Sequence, residues 1–471
     1  MATIIGRKRE QELLSAYYES GRPEFVAVYG RRRIGKTFLI RNFFADRFSF
    51  AVTGLIDAPM TEQLVNFGYA LKDYGEPEQK MPRTWVEAFM RLRKLLESKP
   101  QEQRLLLFID EMPCFDTPRS GFRRAFEHFW NSWAAHNERI MLVVCGSATS
   151  WMVSNLIDAH GGLHNRITHE MYLSAFTLGE TEQYLQAMGF PWQRLSILQA
   201  YCIMGGVPYY LGLMDNTLGL EANIDRLFFA ERGELRHEYK RLYQSLFRDS
   251  EIYLKIIEVL ASCKQGLSRK EIAERLKMPS GGSLSTALRE LCNCDFVRQY
   301  RTRAKSVRIN QGLYQLTDLY TLFYFSFCRG RSNDPELWTN LMGQAKQNTW
   351  YGLAFERVCM LHIPQIKRAL GIDRIHTEYY SWQSREHGAQ IDLIIERADR
   401  LINLCEIKYS AMPYTVTKDE EMKVLNRVAA FTATTGAKEG VIPTFITTYG
   451  LAGGTHASIA RAQVTMDDLF G

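Results

Sequence analysis

The sequence has no run of about 18 apolar residues, the length a helix needs to cross a bilayer, and its start, Met1 to Glu10, lacks the apolar core of a signal peptide. Both absences point to the cytoplasm and away from a membrane. Its nine cysteines are scattered, and the nearest pair, Cys292 and Cys294, has no second pair to complete a zinc site, so they read as structural thiols. There is no internal repeat, low-complexity segment or charged tail. Fifty-eight basic against 52 acidic residues leave a formal charge of +6, which permits nucleic-acid binding without requiring it. What is there is an ordinary globular composition, 46% apolar and 23% charged. At about 150 residues per domain, a chain of 471 residues implies three.

The stretch around which the rest is organised runs from Phe25 to Thr37. Five apolar residues, Phe25 to Tyr29, read as a buried strand and lead into GxxxxGKT, and an amphipathic run beginning Phe38-Leu39-Ile40 follows as a helix. In such a loop Gly30, Arg33, Ile34 and Gly35 present backbone N–H groups to phosphate oxygens, and the helix N-terminus adds its dipole. Lys36 would set a charge on the β and γ phosphates, and the Thr37 hydroxyl would ligate Mg²⁺. ATP is the expected ligand. A second strand is predicted at 48–52. Residues 104–111 give a continuous apolar strand ending in Asp110 and Glu111, the first suited to hold Mg²⁺ through water and the second to polarise the attacking water. A fourth strand, 140–145, ends in Gly146-Ser147-Ala148-Thr149-Ser150, small polar residues where open α/β sheets bind ligands.

Four segments, GRKRE near the start, GRRRIGKT, LLLFIDE and CGSATSWM, resemble the archaeal-type ATPases of the P-loop AAA+ and STAND group. The resemblance implies an ATPase domain with a helical lid over residues 1–235. It places Gly6 and Arg7 near the nucleotide base and Ser147 in the sensor position. Weaker matches are Gly162-Leu163-His164-Asn165-Arg166 and Gly205-Gly206-Val207-Pro208, where Pro208 would approach the adenine. Arg166 reads equally as a γ-phosphate sensor or as a solvated loop arginine.

Residues 236–345 offer an apolar helix at 252–260, a second helix opened by Ser268 and Glu271 as a capping box, a third at 283–291, and paired strands at 296–301 and 314–316. Three helices and a hairpin resemble a winged helix-turn-helix. The hairpin carries Arg298, Arg301, Arg303, Lys305 and Arg308 with no acidic residue from 296 to 317, a block suited to DNA phosphates. A solvated wing, or one docked on the ATPase, is the competing reading. The recognition helix offers only Ser283, Ser285, Thr286 and Arg289 to base edges, so non-specific contact is expected.

In residues 346–471 a helix carries Glu356, and two strands, 391–395 and 401–408, carry Asp392, Glu406 and Lys408. Alternation puts Glu406 and Lys408 on one face, and in-register pairing would bring Asp392 beside them. Glu356, Asp392 and Glu406 make an oxygen-rich site for Mg²⁺ or Mn²⁺, and Lys408 can orient the nucleophilic water. The arrangement resembles the PD-(D/E)xK nuclease superfamily, with Ile391-Asp392 in place of Pro-Asp. It implies a restriction-endonuclease-like α/β domain whose catalytic groups are Asp392, Glu406 and Lys408. The whole is thus read as an α/β ATPase with Glu111 catalytic, a winged helix and a nuclease-like domain, contacting double-stranded or branched DNA and able to form homo-oligomers. The alternative is a STAND-like signalling switch whose last domain only binds.

Overall fold

The computed structural model describes residues 3–147, 149–157, 165–247, 250–263, 265–300, 312–330, 334–384 and 387–471. Gly162, Leu163 and His164 of the first weaker match, and Arg301, Arg303, Lys305 and Arg308 of the hairpin, lie outside the described residues. The chain divides into two compact units, residues 1–174 with 246–248, and residues 175–245 with 249–471.

The first unit is built on five parallel strands: β1 (Glu24–Tyr29), β2 (Phe48–Thr53), β3 (Leu105–Asp110), β4 (Ile140–Gly146) and β5 (His169–Tyr172). Their order is β2-β3-β4-β1-β5. β3 and β4 are buried at every residue because helices cover both faces of the sheet. Alternate side chains feed two cores. Phe25, Ala27, Leu105 and Leu107 pack with Phe67, Trp85, Phe89 and Phe126 on one face. Val26, Val28, Leu106 and Phe108 pack with Leu39, Ile40 and Phe44 on the other. Each fully buried aliphatic or aromatic chain contributes about 1.5–3 kcal/mol, so these two cores hold the helices on the sheet. The short strand β5 was not expected. Its exposures alternate without a continuous apolar run, and it is fixed only by pairing with β1. The order matters for function: β4 lies between β1 and β3, so the loop after β1 and the acidic end of β3 flank Gly146 and Ser147.

In the second unit, helix Arg194–Met204 packs on helices Leu319–Phe323 and Ala345–Leu361. The buried His362 imidazole accepts a hydrogen bond from the Leu178 N–H at 2.9 Å. These contacts explain why residues 175–235 group with the C-terminal part. Next come helices Ser250–Ala261, Arg269–Leu276 and Gly282–Asn293 with a three-stranded antiparallel sheet. Its strands are β6 (Leu267–Ser268), β7 (Val297–Tyr300) and β8 (Leu313–Leu316), in the order β6-β8-β7. The capping box is formed: Ser268 Oγ accepts from the Glu271 N–H, and the Glu271 carboxylate accepts from the Ser268 N–H.

The second sheet of this unit has five strands: β9 (Thr377–Ser384), β10 (Ala389–Arg397), β11 (Leu401–Lys408), β12 (Gly440–Thr447) and β13 (Ala462–Thr465). β9, β10 and β11 are antiparallel, while β11, β12 and β13 run parallel. The β10–β11 register pairs Leu393 with Cys405, which places Asp392 one step further along, level with Glu406. Among the described residues no helix is long and apolar enough to cross a membrane.

Candidate functional site

The loop between β1 and helix Lys36–Phe44 is shaped by backbone that only small or strained residues adopt. Gly30 has φ 140° and Gly35 φ 88°, and Arg33 is left-handed at φ 73°. A Cβ on Gly30 would stand 2.4 Å from the Leu173 carbonyl oxygen, so the close approach of the chain just after β5 demands glycine. The buried Lys36 ammonium donates to the carbonyls of Gly30 at 2.8 Å and Arg31 at 2.9 Å, which curls the loop round its charge. Arg7, also left-handed and buried, donates to the carbonyls of Ile34 at 3.5 Å and Ser174 at 2.6 Å and so braces the rim of the loop. Gly6, at φ 67°, precedes it and accepts from Gln11.

Expected residues meet across the sheet. Thr37 Oγ1 lies 3.1 and 3.0 Å from the two Asp110 carboxylate oxygens. Asp110 is buried, and its carboxyl is held above the ordinary aspartate range by desolvation and then by the charge of Glu111, against the Thr37 hydrogen bond. Glu111 itself is left-handed at φ 46°, a position that costs about 1–3 kcal/mol in a residue with a side chain and points to a role for it. Its carboxylate accepts from Ser147 twice, from the N–H at 3.1 Å and from Oγ at 2.9 Å. The acidic end of β3 and the small polar end of β4 are therefore one hydrogen-bonded unit, although their residue types suggested separate roles.

Two further expected nucleotide residues come from other elements. Arg166 is exposed, three residues before β5. It belongs to the turn that precedes β5, whose first residue pairs with Val26 in the amino-terminal half of β1. Of its two readings, the exposed side chain fits the solvated arginine. Pro208 opens the short helix Pro208–Leu211 of the second unit, after the left-handed pair Gly205 and Gly206.

In the second unit Glu356, Asp392, Glu406 and Lys408 all line one cavity of about 440 Å³. The Asp392 carboxyl is held up to about 7 by desolvation, then by the charges of Glu356 and Glu406. Glu406 is buried and paired with Lys408 at 3.6 Å and, more closely, with Arg427, which the sequence pattern did not reveal. Only its position on helix Lys418–Thr435 could have signalled it. Among the described residues no group of three or more His, Cys, Asp or Glu side chains could hold a metal ion. The three carboxylates share a cavity, and two cations already compensate Glu406.

Arg298 departs from the expectation of a DNA-facing wing. Its guanidinium is partly buried, donates to Gln315 at 2.7 Å and Ser381 at 3.0 Å, and lies over the Tyr300 ring. Desolvation and the nearby Arg357 hold its pKa down to about 10. Of the recognition-helix candidates, Ser283 and Arg289 lie on helix Gly282–Asn293, while Ser285 accepts from Arg269.

The first unit is a parallel α/β domain whose sheet and loop are consistent with a P-loop ATPase domain. No protein-family model matches the chain. The uncharacterized protein MJECL04 of Methanocaldococcus jannaschii is 24% identical over 434 residues, 90% of each chain. A second protein of that organism, the uncharacterized ATP-binding protein MJ0423, is 36% identical over 44 residues, 9% of this chain and 75% of its own. Among solved structures, the Walker-type ATPase PABY2304 of Pyrococcus abyssi superposes with a TM-score of 0.48 at 15% identity, over 69% of this chain and 96% of that one.

Proposed function

We propose that the first unit binds and hydrolyses ATP. The observation that carries this is the meeting of Thr37 and Asp110 at 3.0 Å beside a loop closed round Lys36. Gly30, Arg33, Ile34 and Gly35 would give backbone N–H groups to the phosphates, and Lys36 would exchange its two carbonyl partners for phosphate oxygens. The hydroxyl of Thr37 and the carboxylate of Asp110 are oxygen donors that fit Mg²⁺, which needs few protein ligands when phosphates complete its shell. When bound, that ion would neutralise charge developing on the phosphates. Glu111 would orient the attacking water, and Ser147 would hold Glu111 in place until substrate arrives. The test is ATP binding by calorimetry and phosphate release, for wild type and Lys36→Ala. Unchanged binding in the variant would refute the reading.

A second reading concerns the other unit, where four polar residues from three elements line a single cavity. We propose that this unit contacts DNA and that the cavity is a nuclease-like site, resembling the PD-(D/E)xK fold beside a winged-helix-like element. Glu356, Asp392 and Glu406 supply the hard oxygen donors that Mg²⁺ or Mn²⁺ prefers, but a metal here would have to draw Glu406 away from Arg427. Cleavage of supercoiled, linear and branched DNA in either ion, lost in Lys408→Ala, supports the reading. No cleavage by wild type on any of them would favour a nucleotide-controlled switch whose last domain only binds.

A further inference from the structure

The cavity at Asp392, Glu406 and Lys408 has a second wall that the five-stranded sheet does not supply. Gln265, Tyr300, Leu313 and Gln315, all from or beside the three-stranded sheet, line it from the other side. That wall is fastened. Arg298 joins Gln315 to Ser381 of β9, and Ser381 Oγ donates to the Asp392 carbonyl oxygen at 2.7 Å. Gln265 donates to Gln390 of β10 at 2.7 Å. The Tyr300 ring belongs to the same apolar cluster as Tyr380, Trp382 and Ile391. The hairpin base that the sequence pattern offered to duplex DNA is a built-in side of the carboxylate cavity.

Size and charge then limit the occupant. A sphere of 440 Å³ is about 9 Å across, within the range of small-molecule sites and narrower than the roughly 12 Å major groove of a duplex. Arg357, Lys408 and Arg427 line the cavity and Arg298 stands behind Gln315, against the carboxylates of Glu356, Asp392 and Glu406. Four cations thus stand against three carboxylates, so positive charge is in surplus and an anionic ligand is favoured. The amides of Gln265, Gln315, Gln383 and Gln390 offer both donors and acceptors, as the edge of an unpaired base requires.

We infer that this cavity takes one unpaired nucleotide, from a single strand or a frayed strand end, with its phosphate at Lys408 and Arg427, and shuts out intact duplex. The inference rests on the nucleic-acid reading of the second unit and narrows its substrate. It is tested with the full chain by fluorescence anisotropy, using a 5′-phosphorylated pentathymidine labelled at its 3′ end and a blunt hairpin duplex, each in Mg²⁺ and in EDTA. The single strand should bind at least about tenfold more tightly than the hairpin. Lys408→Gln should weaken that binding about tenfold, with melting temperature as the control for folding. Thr349→Trp is the second variant: it places a bulky ring at an exposed lining position and should block the single strand without disturbing the core. Equal affinity for the hairpin, or single-strand binding untouched by both substitutions, overturns the inference. Binding of hairpin alone overturns it while leaving the nucleic-acid reading standing, whereas binding of neither DNA defeats both. ATP binding in the same preparations reports separately on the first unit.

Discussion

Acidification should weaken the second unit through His362 by an amount the structure sets. The imidazole is fully buried; its Nε2 accepts from the Leu178 N–H, so Nδ1 carries the hydrogen and donates to the Val358 carbonyl at 2.8 Å. A second proton would set N–H against N–H in an apolar site. Burial accordingly holds its pKa down to about 4, whereas a histidine in the unfolded chain titrates near 6.5. The unfolded chain then binds the proton first, so the contribution is fully present above about pH 6.5 and is lost as pH falls toward 4. Between pH 7.5 and 4.5 the loss is about 2–3 kcal/mol, since each tenfold change in the protonation ratio is worth about 1.36 kcal/mol. Urea unfolding followed by tryptophan fluorescence, at both pH values, measures it. Other groups titrate in this range as well, so the quantity to compare is the difference from His362→Gln, which keeps an acceptor and a donor but cannot take up a proton. Wild type should lose about 2–3 kcal/mol more than the variant between the two pH values. Equal losses would show that the imidazole does not sit neutral between Leu178 and Val358.

The other predictions concern named contacts. Glu111→Gln should leave ATP binding intact and slow phosphate release about 10²–10⁴-fold, as removal of a positioned base does; full turnover would take Glu111 out of the reaction. Gly30→Ala should abolish nucleotide binding, because its Cβ would meet the Leu173 carbonyl at 2.4 Å, and calorimetry showing wild-type affinity would contradict that close approach. Asp225 is buried and accepts from the N–H groups of Trp338 at 2.7 Å and Thr339 at 3.0 Å, so Asp225→Ala should cost about 1.5–3 kcal/mol in urea unfolding.

Local patterning made much of the first unit legible. The apolar runs 104–111 and 140–145 have the length and continuity of strands covered on both faces, and the glycines of GxxxxGKT announced a loop that needs left-handed backbone. The Ser268–Glu271 capping box was likewise readable from four residues. Short edge strands were not: β5 has no continuous apolar run of its own, and only its pairing with β1 makes it a strand.

Sequence alone thus determined which residues are able to hold phosphate and which carboxylates end strands, since those properties depend on residue type and near neighbours. Tertiary structure decided where they stand. Packing against Ser381 withdrew Arg298 from solvent, and a helix after β11 brought Arg427 to Glu406. Each outcome rests on contacts between residues well separated in the chain, and local periodicity carries no trace of them.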